Sequence, residues 1–163
     1  MKKIALISDT HGYLGEEIHK YLRDADEVWH AGDVGSVEVV EELEKNYALR
    51  AVFGNIDNHE IRAMIPEHNY FELEGVKVLI THIAGRPGKY YRQGAEALEK
   101  YPCDVFVCGH SHTLLVQQDK RFKCLWLNPG ACGKKGFHKV RTLLLFDLDQ
   151  GKVLNMRAVE LND

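Results

Sequence analysis

No two of the four cysteines, Cys103, Cys108, Cys124 and Cys132, are spaced as C-x-x-C. That excludes a zinc knuckle or a dithiol redox pair built on such a motif. No apolar run approaches the ~18 residues of a membrane-spanning helix. The opening MKKIALISD holds only a strand's length of apolar residues before Asp9, too short for the core of a secretory signal. The cysteines are therefore expected to be reduced thiols of a cytoplasmic protein, packing as small apolar side chains. Positive charge is not in excess, with 21 Lys and Arg against 24 Asp and Glu, net -3. Such a balance lacks the footprint of a general polyanion binder, so neither a nucleic-acid polymer nor a membrane is an expected partner. Low-complexity segments, long linkers and internal repeats are also missing.

What remains is the profile of a globular chain: 163 residues, 45% apolar and 28% charged. One domain over residues 1–163 is expected. Lys3 to Ile7 reads as a buried strand. Gly15 to Arg23 reads as a helix, with Ile18 and Leu22 on one face. Glu27 to His30 and Leu49 to Phe53 are further strands, separated by a helix over Val37 to Lys45. A short helix over Asn58 to Met64 stops before Pro66. Tyr70 to Leu73 and Lys77 to Thr81 flank Glu74-Gly75, a hairpin signal. Lys89 to Lys100 reads as a helix and Asp104 to Cys108 as a buried strand. Leu114 to Gln118, Lys123 to Leu127, Thr142 to Asp147 and Val153 to Val159 follow as strands. The order predicts an α/β fold of two packed sheets flanked by helices, the early sheet mainly parallel and the later one more antiparallel or mixed.

The chemistry-bearing residues follow these strands: Asp9-Thr10-His11, Gly32-Asp33, Gly54-Asn55, His82, and Gly109-His110-Ser111-His112. In open α/β sheets ligands bind beyond the carboxyl ends of strands, so these five loops can converge. Each element alone is ordinary: D-x-H arises by chance, Gly-Asp is usually a turn, and a lone His is usually structural. His-x-His is more suggestive, because alternate strand residues point the same way. The ordered set of all five carries the signal. Two carboxylates, one amide oxygen and four imidazoles suit borderline first-row ions better than magnesium or calcium. Seven ligands exceed one open site and fit two ions with a bridging carboxylate, about 3.5–4 Å apart. Manganese is the first expectation, with nickel, iron or zinc as alternatives.

The run SDTHG, HAGDV, GNID, TH, CGHSH and NPGA, spread from Ser8 to Ala131, resembles the calcineurin-like metallophosphoesterase superfamily. It is most similar to the small bacterial and archaeal phosphodiesterases that also resemble the retromer subunit Vps29. The resemblance implies an αββα sandwich and attack on a phosphodiester by a metal-bridging hydroxide. It implies that Asp9, His11, Asp33 and His112 hold one ion and that Asp33, Asn55, His82 and His110 hold the other. Asn55 would also approach the substrate phosphate.

Two departures matter. Where much of the superfamily has His after Gly-Asn, this chain has Ile56, as the small-phosphodiesterase subgroup also lacks that His. His59 lies three residues on and reads as a helix-start residue. Asp57 is expected to orient a metal ligand. Without the usual His no proton donor for the leaving group is evident, so activated diesters are the expected substrates over alkyl monoesters. Ile83-Ala84 after His82, where many relatives have Gly and a polar residue, reshapes the substrate mouth. Nearby, Arg86 is a candidate phosphate-binding residue. Lys89-Tyr90-Tyr91-Arg92 reads either as substrate contact or as an ordinary helix start, and Gly133-Lys134-Lys135-Gly136 as an anion-attracting rim or a solvated turn. A phosphomonoesterase and a catalytically weak interaction module are the competing functions. The latter requires lost ligands, and all seven positions are ligand-competent. Self-association through exposed apolar surface is a further option.

Overall fold

In the computed structural model, which describes residues 1–161, twelve strands and four helices follow one another along the chain. The expected domain 1–163 ends on Asn162 and Asp163, which lie outside the described residues. The first half gives β1 (Lys2–Ile7), α1 (Glu16–Leu22), β2 (Glu27–His30), α2 (Val37–Asn46), β3 (Leu49–Ala51) and α3 (His59–Met64). Then come β4 (His68–Leu73), β5 (Val76–Thr81), β6 (Gly85–Arg86), β7 (Lys89–Tyr90), α4 (Arg92–Lys100) and β8 (Val105–Val107). The chain closes with β9 (Leu114–Asp119), β10 (Cys124–Pro129), β11 (Arg141–Asp149) and β12 (Lys152–Leu161). Among the described residues no helix is long and apolar enough to cross a membrane.

Two five-stranded mixed sheets form, ordered β12-β11-β1-β2-β3 and β4-β5-β8-β10-β9. Strand alternation decides how they stack. In β1, Ile4 and Leu6 point between the sheets, where they meet Trp29, Val78, Ile80, Val107 and Phe146. Ala5 and Ile7 point the other way, onto Ile18 of α1, Val40 and Leu43 of α2, and Ile61 of α3. The outer face of the second sheet is covered by α4, through Ala97 and Leu98 on Phe106 and Trp126. The result is the expected αββα sandwich.

Two expectations are corrected. The early sheet is mixed rather than mainly parallel, because it takes the last two strands. β11 pairs antiparallel with β1, Ala5 opposite Leu145, and carries β12 with it. The physical reason is burial on both faces: Leu143 packs under the helices and Leu144 and Phe146 lie between the sheets, which suits an interior position beside β1. Lys89 to Lys100 is not one helix either. Gly85–Arg86 and Lys89–Tyr90 form a small antiparallel hairpin, and α4 begins at Arg92. Pro87-Gly88 supplies the two-residue turn, with Gly88 at φ 85°.

The topology fixes where the loops go. β1, β2 and β3 are mutually parallel, and so are β5, β8 and β10. Within each set the carboxyl ends therefore lie on one edge. Because β11 runs antiparallel to β1, its start, and the loop 130–140 before it, lie at that same edge.

Candidate metal centre

Backbone hydrogen bonds stitch the loops together before any side chain is considered. Asp9 N–H donates to Gly32 O at 2.9 Å, and His11 N–H to Asp33 O at 3.0 Å. Within the second sheet, Gly109 N–H donates to His82 O at 3.0 Å, while Cys132 N–H, from the loop before β11, donates to Ser8 O at 3.0 Å. The glycines of the Gly-Asp and Gly-Asn pairs are needed for close approach. A Cβ on Gly32 would collide with the His82 ring, and one on Gly54 with the Asp33 carboxylate. Nine non-glycine residues among those described have positive φ, and five are Asp9, His11, Asp33, His110 and His112. Backbone strain gathered at one place marks a built site.

The side chains assemble into two adjoining groups, Asp9 with His11 and His112, and Asp33 with His82 and His110. Asp33 Oδ2 stands 3.6 Å from His11 Nε2 and 3.2 Å from His82 Nε2, so it faces both groups. Its other oxygen accepts from Ile56 N–H at 3.1 Å. Asn55 Oδ1 lies 3.0 Å from His110 Nδ1, on the rim of the second group. His110 and His112 lie outside the strands, each with a left-handed backbone, and serve different groups. The alternation argument for His-x-His therefore does not apply: the turn, not a strand, aims the rings.

Three buried atoms at the centre have no hydrogen-bond partner: Asp9 Oδ1, His11 Nε2 and His82 Nε2. Orphaned buried polar atoms are costly and call for an explanation. All three face the middle of the two groups, and the donor set is carboxylate and imidazole, so divalent cations fit. His82 Nδ1–H donates to Ala31 O at 2.7 Å, leaving the Nε2 lone pair free to ligate. Electrostatics agree. Burial pushes the Asp9 carboxyl up, but its neighbours, His11 first among them, hold it far below the usual carboxylate range. His11 is raised, chiefly by its contact with Asp9. For His82, burial lowers the pKa but Asp33 and Asp9 more than offset it. The centre holds negative charge and draws positive charge to itself.

The Asp57 carboxylate holds backbone amides of the ligand loops. Buried, it accepts from Val34 and Gly35 N–H at 3.1 and 2.8 Å, and from Gly54 N–H at 2.8 Å. It thus clamps the Asp33 loop to the Asn55 loop. Arg62 adds to this clamp, donating through Nε to Asp57 O at 2.8 Å. Arg86 stands apart from both groups but lines the same cavity as His110. Lys89 and Tyr91 line it too, whereas Arg92 pairs with Glu96 at 2.8 Å and Tyr90 packs on Phe122. Lys134 lies over the Tyr13 ring.

Several positioning residues were not assigned from sequence. Gly32 N–H donates to His30 Nδ1 at 3.1 Å, so His30 Nε2–H donates to Thr10 Oγ1 at 2.9 Å, and Thr10 O–H donates to Val34 O at 2.9 Å. Burial pushes His30 down to about 4, so it stays neutral in this network. Asn128 Nδ2 donates to Gly109 O and Ser111 Oγ, at 3.1 and 3.0 Å, bracing the His110–His112 turn. His138 lies against His112. Thr10, His30 and Asn128 sit inside recognisable motifs, which was their signal. His138 had none.

Comparison with known proteins agrees with this geometry. The sequence model of the calcineurin-like phosphoesterase superfamily domain matches residues 1–151. A probable metallophosphoesterase of Methanothermobacter thermautotrophicus is 30% identical over 138 residues, 78% of this chain and 76% of that protein. Another from Mycoplasma pneumoniae is 28% identical over 162 residues, covering 96% of both. Among solved structures, Vps29 of Entamoeba histolytica complexed with zinc superposes with a TM-score of 0.73 at 16% identity, covering 98% of this chain and 99% of that one. The phosphoesterase YfcE of E. coli gives 0.60 at 21% identity, covering 98% and 100%. With the motif loops, the sandwich and the paired ligand groups in agreement with these matches, the chain belongs to the calcineurin-like phosphoesterase superfamily.

Proposed function

We propose that this protein is a phosphodiesterase that works with two divalent metal ions, manganese first and nickel, iron or zinc as alternatives. Asp9, His11, Asp33 and His112 would hold one ion, and Asp33, Asn55, His82 and His110 the other. The observation that carries the reading is the set of orphaned atoms around Asp33 Oδ2, which faces both groups. When bound, the ions supply Lewis acidity toward water and toward the phosphoryl oxygens.

The chain's own residues do the rest. Asp57 and Arg62 fix the spacing of the Asp33 and Asn55 loops. The Asn55 amide stands at the exposed rim, where a phosphoryl group meets the centre. Ile56, 46% exposed, offers no proton there, so departure relies on the leaving group's own acidity. Two cavities support a diester. One of about 450 Å³ is lined by Asn55, Arg62, His82 and Lys100. The other, about 430 Å³, is lined by Arg86, Lys89, Tyr91 and His110. The first reaches the second ligand group through Asn55 and His82 and the second through His110, so each can take one ester arm. Arg86 is the substrate-binding residue of the second cavity. We place the protein in the cytoplasm, a reading supported by four unpaired cysteines.

The test is turnover of bis-p-nitrophenyl phosphate across a metal panel, beside p-nitrophenyl phosphate and an alkyl monoester. Manganese-dependent diester turnover is expected, falling at least 100-fold in Asp33→Ala and His110→Ala. Equal or faster turnover of the alkyl monoester would replace the diesterase with a phosphomonoesterase. Absence of turnover with every metal would favour the interaction module.

A further inference from the structure

We infer that His138 is a positioning residue that sets the tautomer of His112, so that His112 presents a bare Nε2 lone pair to the metal centre. His138 Nε2 lies 2.9 Å from Gly133 O, and a carbonyl only accepts, so Nε2–H donates. The other nitrogen, His138 Nδ1, lies 2.9 Å from His112 Nδ1. Two imidazole nitrogens at that distance need one proton between them. With both rings neutral, His138 Nδ1 is the acceptor and His112 Nδ1–H the donor. The lone pair of His112 then resides on Nε2, which lies 3.1 Å from Asp9 Oδ1, an oxygen that has no hydrogen-bond partner.

The surrounding loop is shaped for this pair. The rings meet edge to face at 4.9 Å and 67°. Gly136, at φ 131°, lies against both; a Cβ there would collide with the His112 ring and stand 3.0 Å from His138 Nδ1. Gly133, which receives the proton end of the relay, itself donates N–H to Asp9 O at 3.2 Å. The chain of contacts thus runs from His112 through His138 and Gly133 back to the Asp9 loop. His82 achieves the same polarity by donating directly to Ala31 O. At His112 one more imidazole is interposed, and it comes from the loop before β11.

This inference rests on the two-metal reading for its purpose, but its first test does not. In metal-free protein, nitrogen-15 imidazole NMR is expected to show His112 as the Nδ1–H tautomer, shifting to a mixture in His138→Ala. His138→Gln, whose carboxamide can accept from His112 and donate to Gly133 O, should restore it. Manganese titration should then give two ions in wild type. His138→Ala should weaken one of them by roughly 10- to 100-fold, the effect of removing such a partner, leaving the other within about twofold. His138→Gln should recover most of the loss. An unchanged His112 tautomer, or a doubly protonated His138 in wild type, overturns the relay. So does equal weakening of both ions, or a third ion in wild type that His138→Ala removes. If wild type binds no metal while the tautomer responds as expected, the relay stands and the two-metal reading falls.

Discussion

At the residue scale, the side chain with most consequence beyond the ligands is Asp57. One buried carboxylate accepts three backbone N–H groups from two loops. Hydrogen bonds to a charged acceptor contribute about 1.5–3 kcal/mol each, and a buried donor left unpaired costs about 1–3 kcal/mol. Asp57→Asn keeps the size but removes the charge and turns part of the acceptor into a donor. We expect it to lower the unfolding free energy of the metal-free protein by about 2–4 kcal/mol in urea titrations, with weaker manganese binding as the loops separate. A loss under about 0.5 kcal/mol would mean the clamp contributes little. The sequence indicated that Asp57 orients a ligand, yet its targets are backbone amides, which no residue pattern marks. His138 was less legible still: it lies 26 positions from His112, and neither its spacing nor its neighbours form a motif.

At the element scale, the loop before β11 must be held against α1. Tyr13 O–H and Arg141 Nη2 both donate to Glu17 Oε1, at 2.6 and 2.9 Å, while Arg141 Nε donates to Cys132 O at 2.9 Å. Burial raises Glu17, but Tyr13 and Arg141 outweigh it and lower the carboxyl from 4.5 to about 2. A lowered folded pKa stabilises above the unfolded value and loses that contribution as pH falls. Wild type should therefore be more stable than Glu17→Gln at neutral pH, and the gap should close between pH 4.5 and about 2. Urea midpoints of the two proteins across that range check this; a constant gap would contradict it. Element positions were largely legible, since burial and alternation are local signals, and β2 lies where expected, over Glu27 to His30. The β6–β7 hairpin was not, because each strand has two residues, too few for any periodicity to register.

At the scale of the whole molecule, the metal centre is a seam. One ligand set draws on the loops after β1 and β8, and the other on those after β2, β5 and β8. Cations held there would tie the two sheets together and neutralise the buried Asp9 and Asp33 carboxylates, which both face His11 Nε2 and His82 Nε2. Metal bound to the folded state alone stabilises by mass action, about 2.7 kcal/mol per site at a hundred times Kd. Chelation should lower the unfolding temperature by several degrees and manganese should restore it, while Asp33→Ala should respond to neither. Calorimetry with EDTA and manganese tests this, and an unchanged transition in wild type would contradict it.

The sequence by itself determined the strands other than β6 and β7, most helices and the seven ligand-type residues, because these are written in local order: apolar runs, strand-end position and side-chain chemistry. Only the tertiary structure decided which sheet takes β11 and β12, since pairing partners are chosen by burial on both faces rather than by neighbours in the chain. The resemblance already divided His110 from His112, but only the structure showed how, through two left-handed residues in a turn. And only it brought His138 to His112, because a strand running antiparallel to β1 carries its preceding loop to the edge where the parallel strands end.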